Sequence, residues 1–165
     1  MSPPLVVFAV GNPSRGDDAL GPHLLARLAE WLHAEGRAGE AELIEDFQLN
    51  IEHVLDLEGR QLALFIDAGS GTAAPYSFAR LQAAPDLGSS THALEPGAVL
   101  RVFRQTNQSE PPPCFVLCVR GEDFSLGEPL SPAAVSHAAA AFDLLQRLLA
   151  DSRAEVWESR FIPSA

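Results

Sequence analysis

Lysine is absent from this 165-residue chain, and arginine alone supplies its 11 basic side chains. The sequence therefore has neither the lysine of a phosphate-binding P-loop nor a lysine that forms Schiff bases. Against 22 acidic residues the formal net charge is −11. This charge argues against nucleic acid as a main partner, because neutralisation of phosphates normally supplies that affinity. The acidity is compatible with cationic partners and equally with solubility alone.

Long hydrophobic runs and paired cysteines are also missing. No apolar run approaches the ~20 residues of a membrane-spanning helix, and residues 1–4 lack the basic segment that opens a signal peptide. A cytoplasmic protein without membrane contact is therefore expected. Cys114 and Cys118 lie in one predicted strand, where a rise of about 3.3 Å per residue separates their Cα atoms by ~13 Å. That distance is too long for a disulfide, so we expect two free thiols.

What the sequence does contain is an alternation of apolar segments with helical patterns. The predicted strands are Leu5–Val10, Glu42–Phe47, Gln61–Ala68, Cys114–Arg120 and an edge strand at Pro75–Leu81. The predicted helices are Leu20–His33, Asn50–Leu57, Pro96–Arg104 and one that follows Ser131 and runs to about Ala150. This order predicts an α/β fold, a three-layer α/β/α sandwich with a mostly parallel twisted sheet of about five strands.

Domain boundaries follow from the same pattern. Residues 1–151 are expected to form a single α/β catalytic domain, and residues 152–165 a loose C-terminal tail. The short helix at Asn50–Leu57 is expected to place Ile51, Val54 and Leu55 on one apolar face.

The loop between the first strand and the first helix, Gly11–Gly21, is the most distinctive segment. It carries three glycines, a proline and two adjacent carboxylates, Asp17 and Asp18, where the helix begins. Carboxylates at a helix N-terminus face unpaired N–H groups and the positive end of the helix dipole. They stay ionised there and can hold a cation. The glycine spacing does not match a dinucleotide-binding fingerprint.

Further carboxylates end other strands, and ligands of open parallel sheets bind beyond the carboxyl ends of the strands. Asp46 lies near the end of the second strand, Asp67 ends the third, and Glu122 and Asp123 follow the last. They either form a site together or cap turns. Because Asp67 ends an apolar strand, it needs a cation or backbone N–H groups of residues 69–71.

One histidine, His92, lies in a polar loop beside hydroxyl side chains. Two carboxylates and an imidazole suit a divalent first-row metal with open positions for a substrate or water. The remaining histidines, at positions 23, 33, 53 and 137, have no spacing that requires a metal. We interpret them as surface or packing residues.

Three segments together resemble a known family. They are Val10–Gly21 (VGNPSRGDDALG), Phe65–Ala68 (FIDA) and Ser90–His92 (STH), and residues 117–132 resemble the family's last strand and final helix start. The sequence is similar to the hydrogenase maturation proteases, endopeptidases that trim the C-terminus of the [NiFe]-hydrogenase large subunit. The match covers nearly the whole chain in the expected order.

The resemblance implies an aspartic-type endopeptidase with an α/β sandwich fold. Its catalytic and metal-recognising residues fall on Asp18, Asp67 and His92, since the family's first ligand is the second of the two acidic positions. Gly11, Asn12, Asp17 and Asp46 are implied as supporting residues. The nickel is carried by the substrate, the precursor of a hydrogenase large subunit, although other divalent metals can occupy the site in vitro. A monomer that is stable without metal is expected.

Two other functions remain open at this point. One is a metal-dependent chaperone that binds the hydrogenase precursor without cutting it, and loss or retention of precursor mass distinguishes it from a protease. The other is a peptidyl-tRNA hydrolase-like enzyme, since those also begin with a strand followed by Gly-Asn-Pro. Asp17 and Asp18 stand where such enzymes carry a histidine, and the charge of −11 is unsuited to RNA.

Overall fold

A computed structural model describes residues 2–84 and 94–161, and a five-stranded sheet lies at its centre. The strands are β1 (Leu5–Val10), β2 (Ala41–Asp46), β3 (Leu62–Gly69), β4 (Tyr76–Arg80) and β5 (Cys114–Arg120). Their spatial order is β2-β1-β3-β5-β4. All neighbouring strands are parallel except β4, which runs antiparallel to β5 at one edge.

Helices cover both faces of this sheet. They are α1 (Leu20–Ala34), α2 (His53–Leu57), α3 (Pro96–Asn107), α4 (Pro132–Ala150) and α5 (Ala154–Glu158). One buried cluster joins the sheet to α1, α4 and α5, and the other joins it to α2 and α3. Burial on both faces explains why β1 and β3 read as continuous apolar runs. The predicted three-layer α/β/α sandwich with a mostly parallel sheet is confirmed.

The start of α4 shows how local sequence fixes a helix end. Ser131 precedes the helix in an extended conformation, and its side-chain oxygen accepts a hydrogen bond from Ala134 N at 3.2 Å. Pro132 occupies the first helical position, where no N–H is needed. The helix therefore begins where the sequence predicts, and the preceding loop is held at the carboxyl edge of the sheet.

The C-terminal residues differ from the expected loose tail over residues 152–161. This segment contains α5, whose Trp157 is fully buried. The Trp157 Nε1–H donates to Leu148 O at 2.9 Å, and its ring lies 5.3 Å from that of Phe115. A buried tryptophan contributes a large apolar area to the core, so these residues are part of the domain.

The outer face of α2 also departs from expectation. Val54 is buried, but Ile51 and Leu55 are exposed, so the three residues do not form one buried face. Both cysteines are free, as expected, with Cys114 buried and Cys118 partly buried. Within the described residues, no helix combines the length and the apolar character needed to cross a membrane.

Candidate active site

The strand register gathers polar side chains into one row at the carboxyl edge of the sheet. Asp46 pairs with Val10, and Asp67 pairs with Cys118, which in turn pairs with Ser77. Ala9 pairs with Ile66, so the residues that follow them, Val10 and Asp67, lie at the same level of the sheet. The row therefore crosses all five strands.

The side chains of this row point towards the layer formed by α2 and α3. In each strand, the residue two positions before the row points to the same face of the sheet as the row itself. These earlier residues pack in the core cluster beneath α2 and α3. They are Ile44, Phe8, Phe65 and Val116. Asp46, Asp67 and Cys118 therefore extend this face beyond the end of the apolar core.

The first loop folds over the end of β1 and brings Asp18 back to it. The Asp18 Oδ2 atom accepts a hydrogen bond from Asn12 N at 2.7 Å. Gly11 has a φ of +149°, and an added Cβ would lie 2.0 Å from the Asp18 carbonyl oxygen. Only glycine permits this approach. Gly11 and Asn12 thus position the half-buried Asp18 carboxylate above the end of the strand.

Asp67 is the carboxylate at the end of β3, and it has few hydrogen-bond donors. Its Oδ1 atom accepts from its neighbour Ala68 N at 2.8 Å. Of the two partners that the sequence suggests, a cation or N–H groups of residues 69–71, the second is not the donor seen here. The pKa of Asp67 is raised to about 6, chiefly by burial and to a smaller extent by the charge of Asp18, while the hydrogen bond from Ala68 opposes the rise. Asp18 and Asp67 are therefore near enough to repel each other, and a cation between them would remove that repulsion.

Asp17 is adjacent to Asp18 in sequence but lies in a different environment. Its side chain is fully buried, and its Oδ2 atom accepts from Glu122 N at 2.7 Å and Asp123 N at 3.1 Å. Ser131 donates its N–H to Oδ1 and its hydroxyl to Oδ2, both at 2.7 Å. Burial alone would raise the pKa of Asp17, but these hydrogen bonds outweigh it and hold the pKa below its ordinary value. Asp17 thus joins the first loop to the loop before α4.

Glu122 and Asp123, which the sequence placed among the converging carboxylates, take part through their backbone N–H groups. Both side chains are exposed, and Glu122 pairs with Arg120 at 2.8 Å. For these two residues the structure favours the turn interpretation over the site.

Asp46 lies at the exposed end of β2 beside a histidine that the sequence had assigned to surface or packing. His53 is only 5% exposed, and its Nε2 atom lies 3.5 Å from Asp46 Oδ2. Asn50 N lies 3.0 Å and Asn50 O 3.3 Å from His53 Nδ1. In the tautomer whose Nδ1 accepts from Asn50 N, the ring proton is on Nε2 and faces the carboxylate. The sequence signal that could have indicated this arrangement is the spacing of Asn50 and His53, which allows a turn that brings the histidine ring to the backbone of Asn50.

A thiol and a hydroxyl lie on the other side of Asp67. Cys118 Sγ and Thr72 Oγ1 are 3.2 Å apart. Burial raises the pKa of the Cys118 thiol, in opposition to the hydrogen bond with Thr72, and the nearby Asp67 charge adds to the rise. Cys118 is therefore a neutral thiol at neutral pH. Cys118 lies beside Asp67 because the two residues pair in the register of β3 and β5. The spacing of these residues in the sequence does not predict this contact.

His92, the third predicted ligand, lies outside the described residues. Across residues 2–84 and 94–161, no three His, Cys, Asp or Glu side chains are grouped to hold a metal ion. The described residues thus provide two neighbouring carboxylates, Asp18 and Asp67, with oxygen atoms suited to a divalent cation.

Comparisons with known proteins find similarity in structure but not in sequence alone. No family model and no curated protein sequence matches the chain. Among solved structures, the hydrogenase maturating endopeptidase HybD from E. coli superposes with a TM-score of 0.69 and 21% identity, over 92% of this chain and 94% of that one.

Two archaeal structures give similar values. The [NiFe] hydrogenase maturation protease HycI from Thermococcus kodakarensis KOD1 has a TM-score of 0.66 and 22% identity, over 89% of this chain and 92% of that one. The hydrogenase 2 maturation peptidase from Thaumarchaeota archaeon SCGC_AB-539-E09 has a TM-score of 0.61 and 19% identity, over 88% of this chain and 97% of that one. The fold implied by the sequence motifs is thus confirmed: this chain has the α/β fold of the hydrogenase maturation proteases.

Proposed function

We propose that this protein is an endopeptidase that removes a C-terminal extension from the nickel-loaded precursor of a [NiFe]-hydrogenase large subunit. The observation that carries the proposal is the carboxylate pair formed by Asp18, in the loop that folds over the end of β1, and Asp67, near the end of the adjacent strand β3. Asp18 accepts a hydrogen bond from Asn12 N, and Asp67 accepts one from Ala68 N. Most of their lone pairs therefore remain for a cation. The likeness to solved hydrogenase maturation endopeptidases supports the choice of reaction.

In this proposal the nickel ion arrives with the substrate. Asp18, Asp67 and His92 complete its coordination, so that only a precursor already loaded with metal is held in position for cleavage. An imidazole and two carboxylates are a suitable ligand set for a divalent first-row ion. Other divalent metals would bind the same residues in vitro. Metal recognition thereby makes cleavage the last check on a correctly loaded precursor.

Cleavage adds water across the scissile peptide bond. The oxygen of water bonds to the carbonyl carbon, the C–N bond breaks, and the new amine leaves with a proton. Two roles are open for the site. A carboxylate takes a proton from the attacking water, or the substrate's ion polarises the scissile carbonyl. With a pKa of about 6, Asp67 is deprotonated at neutral pH yet more basic than an ordinary aspartate.

The supporting residues hold this arrangement in place. Gly11 and Asn12 shape the end of β1 and orient Asp18, and Asp17 fixes the first loop from behind through its buried hydrogen bonds. Asp46 contributes an exposed negative charge to the same row of the sheet. We propose no direct contact between Asp17 and the metal.

The test is cleavage of nickel-loaded precursor, followed by mass spectrometry. The wild-type protein is expected to release a C-terminal peptide, and Asp18→Asn, Asp67→Asn and His92→Ala to lower kcat/KM by about a thousandfold or more, the usual scale for loss of a catalytic group. Asp123→Asn is a matched control, because it removes an exposed charge from another loop at the same edge.

Two outcomes would contradict the proposal in different ways. Full activity in all three site variants would remove Asp18, Asp67 and His92 from the reaction. Tight binding of the precursor by the wild-type protein without any change in mass would instead identify a metal-dependent chaperone.

A further inference from the structure

Three large hydrophobic side chains are exposed within the nine residues that follow β2. Phe47, Ile51 and Leu55 are 64%, 63% and 66% exposed. They recur at every fourth position, and we call them the 47–55 stripe. Single exposed apolar residues are common on proteins, but a group of large ones indicates an interaction surface.

The backbone of this segment is well anchored, so the exposure is not a sign of a poorly packed region. On the inner side of α2, His53, Val54 and Leu57 are buried. Ile51, in the turn before α2, and Leu55, on α2, are both exposed to solvent. The core is filled by the inner residues, and the outer ones are left for another role.

The stripe is continuous with the candidate active site. Phe47 N donates to Asp46 Oδ1 at 2.8 Å, and the other Asp46 oxygen faces His53 at 3.5 Å. Asp46 stands in the same row and on the same face of the sheet as Asp67. A protein bound along the stripe would therefore reach the carboxyl edge where Asp18 and Asp67 lie.

The charged side chains within this segment of the sequence are of one sign. Four exposed carboxylates lie in or beside it, and no arginine or lysine occurs from position 45 to position 59. They are Glu45, Asp46, Glu52 and Glu58. Such a surface complements apolar side chains that are flanked by arginine or lysine. Two copies of this chain facing each other through the stripe would instead bring like charges together.

We propose that the 47–55 stripe docks the protein substrate, through a substrate surface with apolar side chains flanked by basic ones. This inference rests on the proposed function and adds a binding surface to it. The stripe supplies affinity and orientation, whereas Asp18, Asp67 and His92 act on the bond and the metal. Loss of the stripe is therefore expected to weaken binding without slowing the chemical step.

The experiment compares the double variant Ile51→Gln/Leu55→Gln with Val135→Gln. Val135 is 54% exposed on α4, in the opposite layer of the sandwich, and serves as the matched control. With nickel-loaded precursor, the double variant is expected to raise KM and the calorimetric Kd about tenfold, as two peripheral apolar contacts would. Its kcat should stay within about twofold of wild type, and Val135→Gln should change neither.

Each alternative result has a separate meaning. Unchanged KM and Kd in the double variant, with normal cleavage by the wild type, would overturn the docking surface and leave the protease standing. Absence of cleavage by the wild type would overturn the proposed function, and the Kd comparison would still decide whether the stripe binds the precursor. A wild-type protein that self-associates in sedimentation, and a double variant that does not, would identify a second copy as the occupant and overturn the proposal.

Discussion

Asp17, in the first loop, and Asp67, in β3, both lie at the carboxyl edge of the sheet, yet their surroundings are opposite. Asp17 is fully buried and accepts hydrogen bonds from three backbone N–H groups and one hydroxyl. Asp67 is partly buried, and its hydrogen bond comes from the next residue in the chain. The pKa of Asp17 lies below its ordinary value, and that of Asp67 is raised to about 6.

The difference shows that the supply of donors, rather than burial alone, decides what a carboxylate does. Where donors replace water, a buried carboxylate stays charged and stabilises the fold. Where they are lacking, the charge is costly in the free protein and becomes favourable when a cation arrives. Asp17 is accordingly a structural anchor, and Asp67 is available for the site.

Removing the charge of the anchor is expected to have the larger effect on stability. In Asp17→Asn the amide NH₂ would face either Ser131 N at the Oδ1 position or the N–H groups of Glu122 and Asp123 at the Oδ2 position, so in both orientations a buried donor would lose its acceptor. We expect the free energy of unfolding to fall by about 3 kcal/mol at pH 7. Urea denaturation measures this change.

The matched control for this prediction is Asp123→Asn in the neighbouring loop. The Asp123 side chain is exposed, and an asparagine oxygen can still accept the 2.9 Å hydrogen bond from Ser125 N. We expect a change below about 0.5 kcal/mol. Equal losses in Asp17→Asn and Asp123→Asn would show that Asp17 is not a special anchor.

The same substitution at Asp67 is expected to stabilise the protein. The neutral amide removes a poorly solvated charge and keeps an oxygen for Ala68 N, so the free energy of unfolding should rise by about 1–2 kcal/mol at pH 7 to 8, a figure reduced for partial exposure. Because the folded pKa lies above the unfolded one, the wild type pays this cost above pH 6 and not below about 3.8. The gain should therefore disappear at pH 3.5.

The two wild-type groups thus have opposite pH dependence. The contribution of Asp17 is present above its unfolded pKa of about 3.8 and is lost as pH falls through its lower folded pKa. A stability gain in Asp67→Asn that does not depend on pH, or a loss of stability at pH 7, would contradict the view that the charge of Asp67 destabilises the free protein.

The sequence predicts the architecture well, because its signals are local. Apolar runs with a helix between them predict β1, α1 and the parallel sheet, and Ser131 followed by Pro132 predicts the start of α4. The placement of Asp67 at the edge of the sheet follows from the end of its own strand.

The different fates of the two adjacent acids could not be predicted in this way. The donors to Asp17 come from residues more than 100 positions later, at Glu122, Asp123 and Ser131. The exposure of Leu55 was equally hidden, since it depends on which side of α2 the tertiary structure covers. Both are outcomes of packing between distant segments, which local patterns do not record.

The most direct test is an NMR titration of the side-chain carboxyl carbons of the wild-type protein. We predict that Asp67 titrates near pH 6 and Asp17 below its ordinary value of 3.8. The two resonances can be assigned by their disappearance in Asp67→Asn and in Asp17→Asn. A pKa at or below 3.8 for Asp67 would contradict the view that this carboxylate, with one hydrogen bond from the described residues, is short of donors and is held ready for a cation.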